Sequence, residues 1–176
     1  MKRIVLFAAL LVAAARMGWA GDVDLLAEGN SWRFSGGTEF PPGALGSFSV
    51  DEEGGAAIAN LEYDFTQGGL YVAGAGNVRI EEGPTEIRFK FKADSPLTVA
   101  IRLVDKTNQT HQYQFAYTDE GQWQEYRVDL AEKAGLIFGG KSDKVLHFPI
   151  TQVYFIAQKK GGSQSGKAQF RDVVMQ

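Results

Sequence analysis

The strongest constraint on what this chain can fold into is a period of two. In "TEIRFKFKA", Ile87, Phe89 and Phe91 alternate with Arg88, Lys90 and Lys92. A β-strand sends successive side chains to opposite faces, so this segment suits a sheet with one buried and one wet face rather than an amphipathic helix. The pattern recurs with Val99, Ile101 and Leu103 in "LTVAIRLVD", Tyr113, Phe115 and Tyr117 in "HQYQFAYT", and Tyr126, Val128 and Leu130 in "QEYRVDL". "ANLEYDF" alternates Leu61, Tyr63 and Phe65 against Glu62 and Asp64, and "GSFSVD", "LYVAG", "QVYFIAQ" and "AQFRDVVM" supply shorter candidates. Turn chemistry separates them, in "EEGG", "TQGG", "EEGP", "ADSP", "DKTNQ", "TDEG" and "KKGGSQSG". Only "DLAEKAG" hints at a helical period, and it is too short to organise a fold. Short strands at this spacing predict an all-β chain, a two-sheet antiparallel β-sandwich of jelly-roll type. Phe89, Phe91, Ile101, Leu103, Phe115 and Val128 are expected to share its one core.

The first twenty residues stand apart. Lys2 and Arg3 precede an apolar run from Ile4 to Ala15, and small residues at Gly18 and Ala20 close the segment. The run is short for a permanent membrane span and has the order of a signal peptide, so residues 1–20 are read as one and residues 21–176 as a single domain. Cleavage after Ala20 would remove three of the 18 basic residues and none of the 21 acidic ones, a balance of −6. A secreted or periplasmic location follows from this reading. An acidic domain lacks the basic footprint of a nucleic-acid or anionic-membrane binder. The chain has no cysteine, which excludes a disulfide framework, thiolate metal sites and a catalytic thiol.

Polar density peaks in "DKTNQTHQYQ", which holds one of the two histidines. Asp105, Asn108 and Thr110 are expected to hold a turn between two strands. His111 shares the parity of Tyr113 and Phe115, so it is read as structural, with a hydrogen bond that matters more than its charge. Arg102, Gln112 and Gln114 have the opposite parity and face outward from adjoining strands, where a guanidinium and amides could meet paired hydroxyls. Tyr71 lies opposite Leu70 and Val72 in parity and is a candidate exposed platform. The loop "FGGKSDKVLHFP" carries Lys141, Asp143 and His147, and Gly139–Gly140 would let backbone approach a ligand; an ordinary solvated connection is the competing reading. Trp32 and Trp123 are expected to be structural, each packed over an open end with its N–H on a loop. No nucleophile elbow, HExxH or phosphate loop is present, and most acids sit in turns or alternate outward, so no enzyme is expected.

Several segments in this order resemble a known group: "GGTEFPPGALGSFSVD", "YDFTQGGLYV", "IRLVDKTNQTHQ", "GQWQEYRVDL" and "VLHFPITQVYF". Together they resemble the galactose-binding-like jelly rolls that serve as carbohydrate-binding modules of secreted bacterial glycoside hydrolases. Against that pattern the chain reads Ile137-Phe138 in place of His-Trp, Lys144 in place of a Gly, and Asn108 in place of the hairpin Gly. Asn tolerates the left-handed turn conformation, so the last change is conservative. The resemblance implies an exported, non-catalytic carbohydrate binder, and the parity and loop positions above make Arg102, Gln112, Gln114, Tyr71, Lys141, Asp143 and His147 its candidate contacts. An exported domain binding a protein partner or envelope component is the alternative, and a small glycan-active hydrolase the weaker one. No cofactor is required. The resemblance also implies a structural Ca²⁺ on Asp172 in the last strand with Glu39 or Asp51; a plain surface salt bridge for Asp172 competes with it.

Overall fold

The computed structural model describes residues 22–27, 29–38, 41–81, 83–162 and 164–176. The signal-peptide segment and Glu39 lie outside the described residues. Alternation becomes two antiparallel sheets packed face to face. One carries, in order, β3 (Leu45–Glu53), β4 (Ala56–Asp64), β12 (Ser165–Met175), β6 (Glu86–Ala93) and β9 (Gln124–Asp129). Its short β1 (Val23–Asp24) pairs with the end of β12 at Val174 and Met175. The other sheet runs β10 (Leu136–Gly139), β8 (Gln109–Tyr117), β7 (Leu97–Asp105), β11 (Ile150–Lys159), β5 (Tyr71–Ile80) and β2 (Ser31–Ser35). Consecutive strands repeatedly sit apart, as in β7–β11–β5, which is the Greek-key crossing of a jelly roll. "DLAEKAG" forms a turn, and the described residues contain no helix.

The inward positions meet in one core. Phe170 of β12 stacks on Phe155 of β11 at 5.0 Å between centroids and sets its edge against Phe91 of β6 at 4.9 Å. Phe89, Phe91, Ile101, Leu103 and Val128 are buried there, and Phe115 packs against them half-buried. A cluster of this size supplies the stability that a chain without disulfides needs.

Two glycines of β5 decide how the sheets close over β2. A Cβ on Gly74 would lie 2.0 Å from the Phe48 ring, and one on Gly76 would lie 2.6 Å from Trp32. Bare backbone there lets Trp32 stack on Phe155 at 4.8 Å and meet Phe48 at 5.4 Å. Trp32 thus packs between the sheets, and its buried indole N–H has no hydrogen-bond partner among the described residues. Trp123 also departs from expectation. It lies over the outer face of the first sheet, between the Lys92 ammonium at 4.8 Å and the Arg171 guanidinium at 4.3 Å, and caps no end of the core.

Candidate functional site

The β7–β8 hairpin divides its polar residues between two jobs. In the turn, Asp105 is fully buried. Its Oδ1 accepts from the Thr107 N–H and hydroxyl, both at 2.7 Å, and from the Gln109 N–H at 3.0 Å. Its Oδ2 accepts from the His147 N–H at 3.1 Å. The hydroxyl that ties down the turn is therefore that of Thr107 rather than of Thr110. Asn108 takes the left-handed conformation, φ +63°. Burial works to raise the Asp105 pKa, but the Thr107 hydroxyl and the backbone N–H donors outweigh it and hold the carboxyl below its ordinary value.

His111 is buried, as its parity predicts, with Nε2 at 3.2 Å from the Gln109 amide nitrogen and 3.7 Å from Asp105 Oδ2. Burial, only partly opposed by Asp105, lowers its pKa and keeps the ring neutral near pH 7. The loop between β10 and β11 is bolted onto this hairpin. The Gln109 amide nitrogen donates to the Val145 carbonyl at 2.8 Å and to Asp143 at 3.2 Å, and Lys144 N–H returns to Gln109 Oε1 at 3.2 Å. Asp143 also binds Lys141 at 3.1 Å and His147 at 2.8 Å, and the Val145 N–H and His147 hold its pKa well below the usual carboxylate range. Gly140 brings backbone close to backbone: a Cβ there would sit 2.2 Å from the Gln109 nitrogen. Lys141, Asp143 and His147 thus form a latch on the hairpin, away from the groove described next.

The outward face of the second sheet carries a groove of about 290 Å³ across β10, β8, β7, β11 and the start of β5. It brings together four of the expected residues, Arg102, Gln112, Gln114 and Tyr71. Arg102 is its centre. The guanidinium carbon lies 5.3 Å from the Tyr71 ring centroid, 5.4 Å from Tyr154 and 5.7 Å from Phe138, and Nε donates to Gln112 Oε1 at 2.8 Å. Gln114 Nε2 donates to Gln158 Oε1 at 2.9 Å. Ala73, Ala100 and Ile156 make a small apolar floor between the two tyrosines.

Two expectations of exposure are corrected. Tyr71 is only 7% exposed, because Gly37 lies against its ring: a Cβ there would meet it at 2.7 Å. Gln112 faces away from the core yet is buried, in register with Leu136 on β10. The exposed aromatic of the groove is Phe138, at 50%, flanked by Leu136 and Leu70. Parity inside a strand read as loop could have found Phe138, since Leu136 and Phe138 face out while Ile137 packs on the core. Tyr154 and Ile156 were hidden by the apolar residues on both faces of β11.

Of the residues expected to hold Ca²⁺, Glu39 lies outside the described residues, and Asp51 and Asp172 have protein partners. Asp51 is bonded to Asn60 at 2.7 Å and Ser49 at 2.8 Å, while Asp172 is turned toward β6 by Lys90 at 2.8 Å. Among the described residues no three His, Asp or Glu side chains cluster in a way that could hold an ion.

No family model and no curated protein sequence matches the chain. Solved structures do. A family 11 carbohydrate-binding module of a cellulosomal cellulase of Clostridium thermocellum superposes with a TM-score of 0.61 at 14% identity, covering 88% of this chain and 94% of that one. The chain shares the fold of that module. The family 11 module of Clostridium thermocellum in complex with a β-1,3-1,4-mixed-linked tetrasaccharide gives a TM-score of 0.58 at 12% identity, over 85% of this chain and 89% of that one. An exo-β-agarase gives 0.56 at 12% identity, with 82% of this chain matching 23% of the enzyme. The two-sheet antiparallel jelly-roll sandwich expected from the sequence is thus the observed fold.

Proposed function

We propose that this protein is an exported, non-catalytic carbohydrate-binding module, and that the glycan lies in the groove on the outward face of the second sheet. The observation that carries this is Arg102 held between three aromatic rings and a glutamine amide. A pyranose offers hydroxyls at its rim and C–H groups on its faces. Arg102 and the Gln114–Gln158 amides suit the former, and Phe138 suits the latter. Among the described residues the lining includes no Asp or Glu, which supports binding without hydrolysis, since a glycosidase needs two carboxylates about the bond it cuts. Export rests on the character of residues 1–20.

A glycan array, followed by calorimetric titration of the best hit, tests the proposal. Phe138→Ala is expected to weaken binding by roughly tenfold or more, the loss of one stacking contact and its apolar area, with no fall in Tm. Wild-type affinity in both Phe138→Ala and Arg102→Ala would remove the groove from the reading. A protein partner is the second reading, favoured by the gathering of exposed Leu70, Leu136 and Phe138 in one place. An array without hits, with binding to an envelope protein that Phe138→Ala abolishes, would select it.

A further inference from the structure

The charges around the groove are distributed unevenly. Six arginines lie within the described residues, and four meet carboxylates. Arg79 pairs with Glu81 at 2.7 Å, Arg88 and Arg127 both close on Glu86, and Arg171 lies 3.8 Å from Asp172. Arg33 and Arg102 are the two with no carboxylate among the described residues. In a chain with three more acidic than basic residues, that is the reverse of the usual expectation for a guanidinium.

The sheet register puts these two in one line. Arg33 of β2 is opposite Ala75 of β5, Ala75 is opposite Tyr154 of β11, and Tyr154 is opposite Arg102 of β7. All four share the outward face, since Trp32, Phe34, Val153, Phe155, Ile101 and Leu103, their strand neighbours, pack on the core. Three strand steps separate the arginines, roughly 14 Å between backbones at the usual spacing. The line therefore reads cation, aromatic ring, small residue, cation. The remaining outward positions of the paired strands are uncharged. Arg79, past the bulge at the end of β5, is already closed off by Glu81.

We propose that the groove and its extension to Arg33 bind an anionic glycan, a polymer bearing uronate carboxylates or sulfate esters, running across the strands from Arg102 to Arg33. This deepens the carbohydrate reading and rests on it. A neutral sugar needs donors and acceptors in balance, and glutamines alone supply both. Two guanidiniums without a carboxylate partner among the described residues add fixed positive charge and paired N–H donors shaped for carboxylate or sulfate oxygens. The aromatic ring and small residues between them leave room for sugar rings lying flat over the sheet.

The full-length exported protein is titrated with polygalacturonate, with the same polymer after carboxyl reduction, with a sulfated galactan and with a neutral β-glucan. The expected result is that one anionic polymer binds roughly tenfold or more tighter than the neutral ones, as a charge-assisted contact provides, and that added salt weakens it. Arg33→Gln, at an exposed position, is expected to lose about as much affinity without a change in Tm. Preference for the polyuronate assigns carboxylate, and preference for the galactan assigns sulfate. Neutral polymers that bind as tightly as both anionic ones overturn the inference and leave the carbohydrate reading standing, as does anionic binding that survives Arg33→Gln and Arg102→Gln together. Absence of binding to every glycan overturns both.

Discussion

At the scale of single residues, the hairpin turn is where pH acts. The unfolded chain takes up a proton on His111 below about pH 6.5, while the folded protein resists it because burial lowers the ring's pKa. Stability is thus fully present above that pH and falls as pH drops toward the folded value. The groups facing the ring, Asp105 and His147, do not reverse that sign. A second loss follows below about pH 4, where Asp105 and Asp143, both held below the ordinary carboxylate value, are protonated more readily in the unfolded chain. Thermal unfolding between about pH 7.5 and 5.5 should therefore show a falling Tm, with His111→Gln flattening that upper step and leaving the lower one. At neutral pH, His111→Ala is expected to cost about 1–3 kcal/mol by leaving Gln109 and Asp105 incompletely partnered. An unchanged Tm in that variant would mean the ring carries no structural hydrogen bond.

At the scale of elements, β5 shows how an absent side chain shapes a sheet. Gly74 and Gly76 face inward beneath Phe48 and Trp32, so the volume that β5 lacks is filled from β3 and β2. Gly74→Ala forces the Phe48 ring aside and should destabilise by about 1–3 kcal/mol, the usual cost of overpacking, measurable by urea denaturation. A stabilised variant would mean that the strand, relieved of a flexible glycine, tolerates the methyl. The same elements show what the sequence makes legible. β6 and most of β7 alternate because one face is dry and the other wetter, so parity gives the inward places of Phe89 and Ile101. The first five residues of β8 are buried on both faces, and parity there gives direction but not exposure. β11 is apolar on both faces, so parity could not say that Tyr154 and Ile156 belong to the groove. β10 has four residues between glycines, and its pairing with β8 from Leu136–Gln112 to Gly139–Gln109 is long-range information. The burial of Tyr71 is hidden from strand parity for a related reason: Gly37, which covers it, is distant in sequence. The groove was half legible, its polar residues through parity and its aromatic ones only through the fold.

At the scale of the whole molecule, the core and the proposed binding groove occupy opposite faces of the same sheet, and this separation can be tested. Phe155 and Tyr154 are neighbours in β11, yet Phe155 stacks on Phe170 in the core while Tyr154 faces Arg102 in the groove. A sheet fixed by strand pairing on both sides of β11 keeps the outward row in place whatever small changes occur beneath it. Phe170→Ala removes a fully buried ring and should cost on the order of 3–5 kcal/mol. That corresponds to a fall in Tm on the order of 10 °C for a domain of this size. Because the groove contains no atom of Phe170, glycan affinity measured well below the lowered Tm should stay within about twofold of the wild type, under 0.5 kcal/mol. Phe138→Ala should do the opposite. Half-exposed, it leaves Tm within about 1 °C, as surface changes do, while it strips the groove of its one open ring. If both variants lost affinity in proportion to stability, the two faces would be coupled, and the groove would owe its shape to the core packing rather than to the backbone pairing of the second sheet.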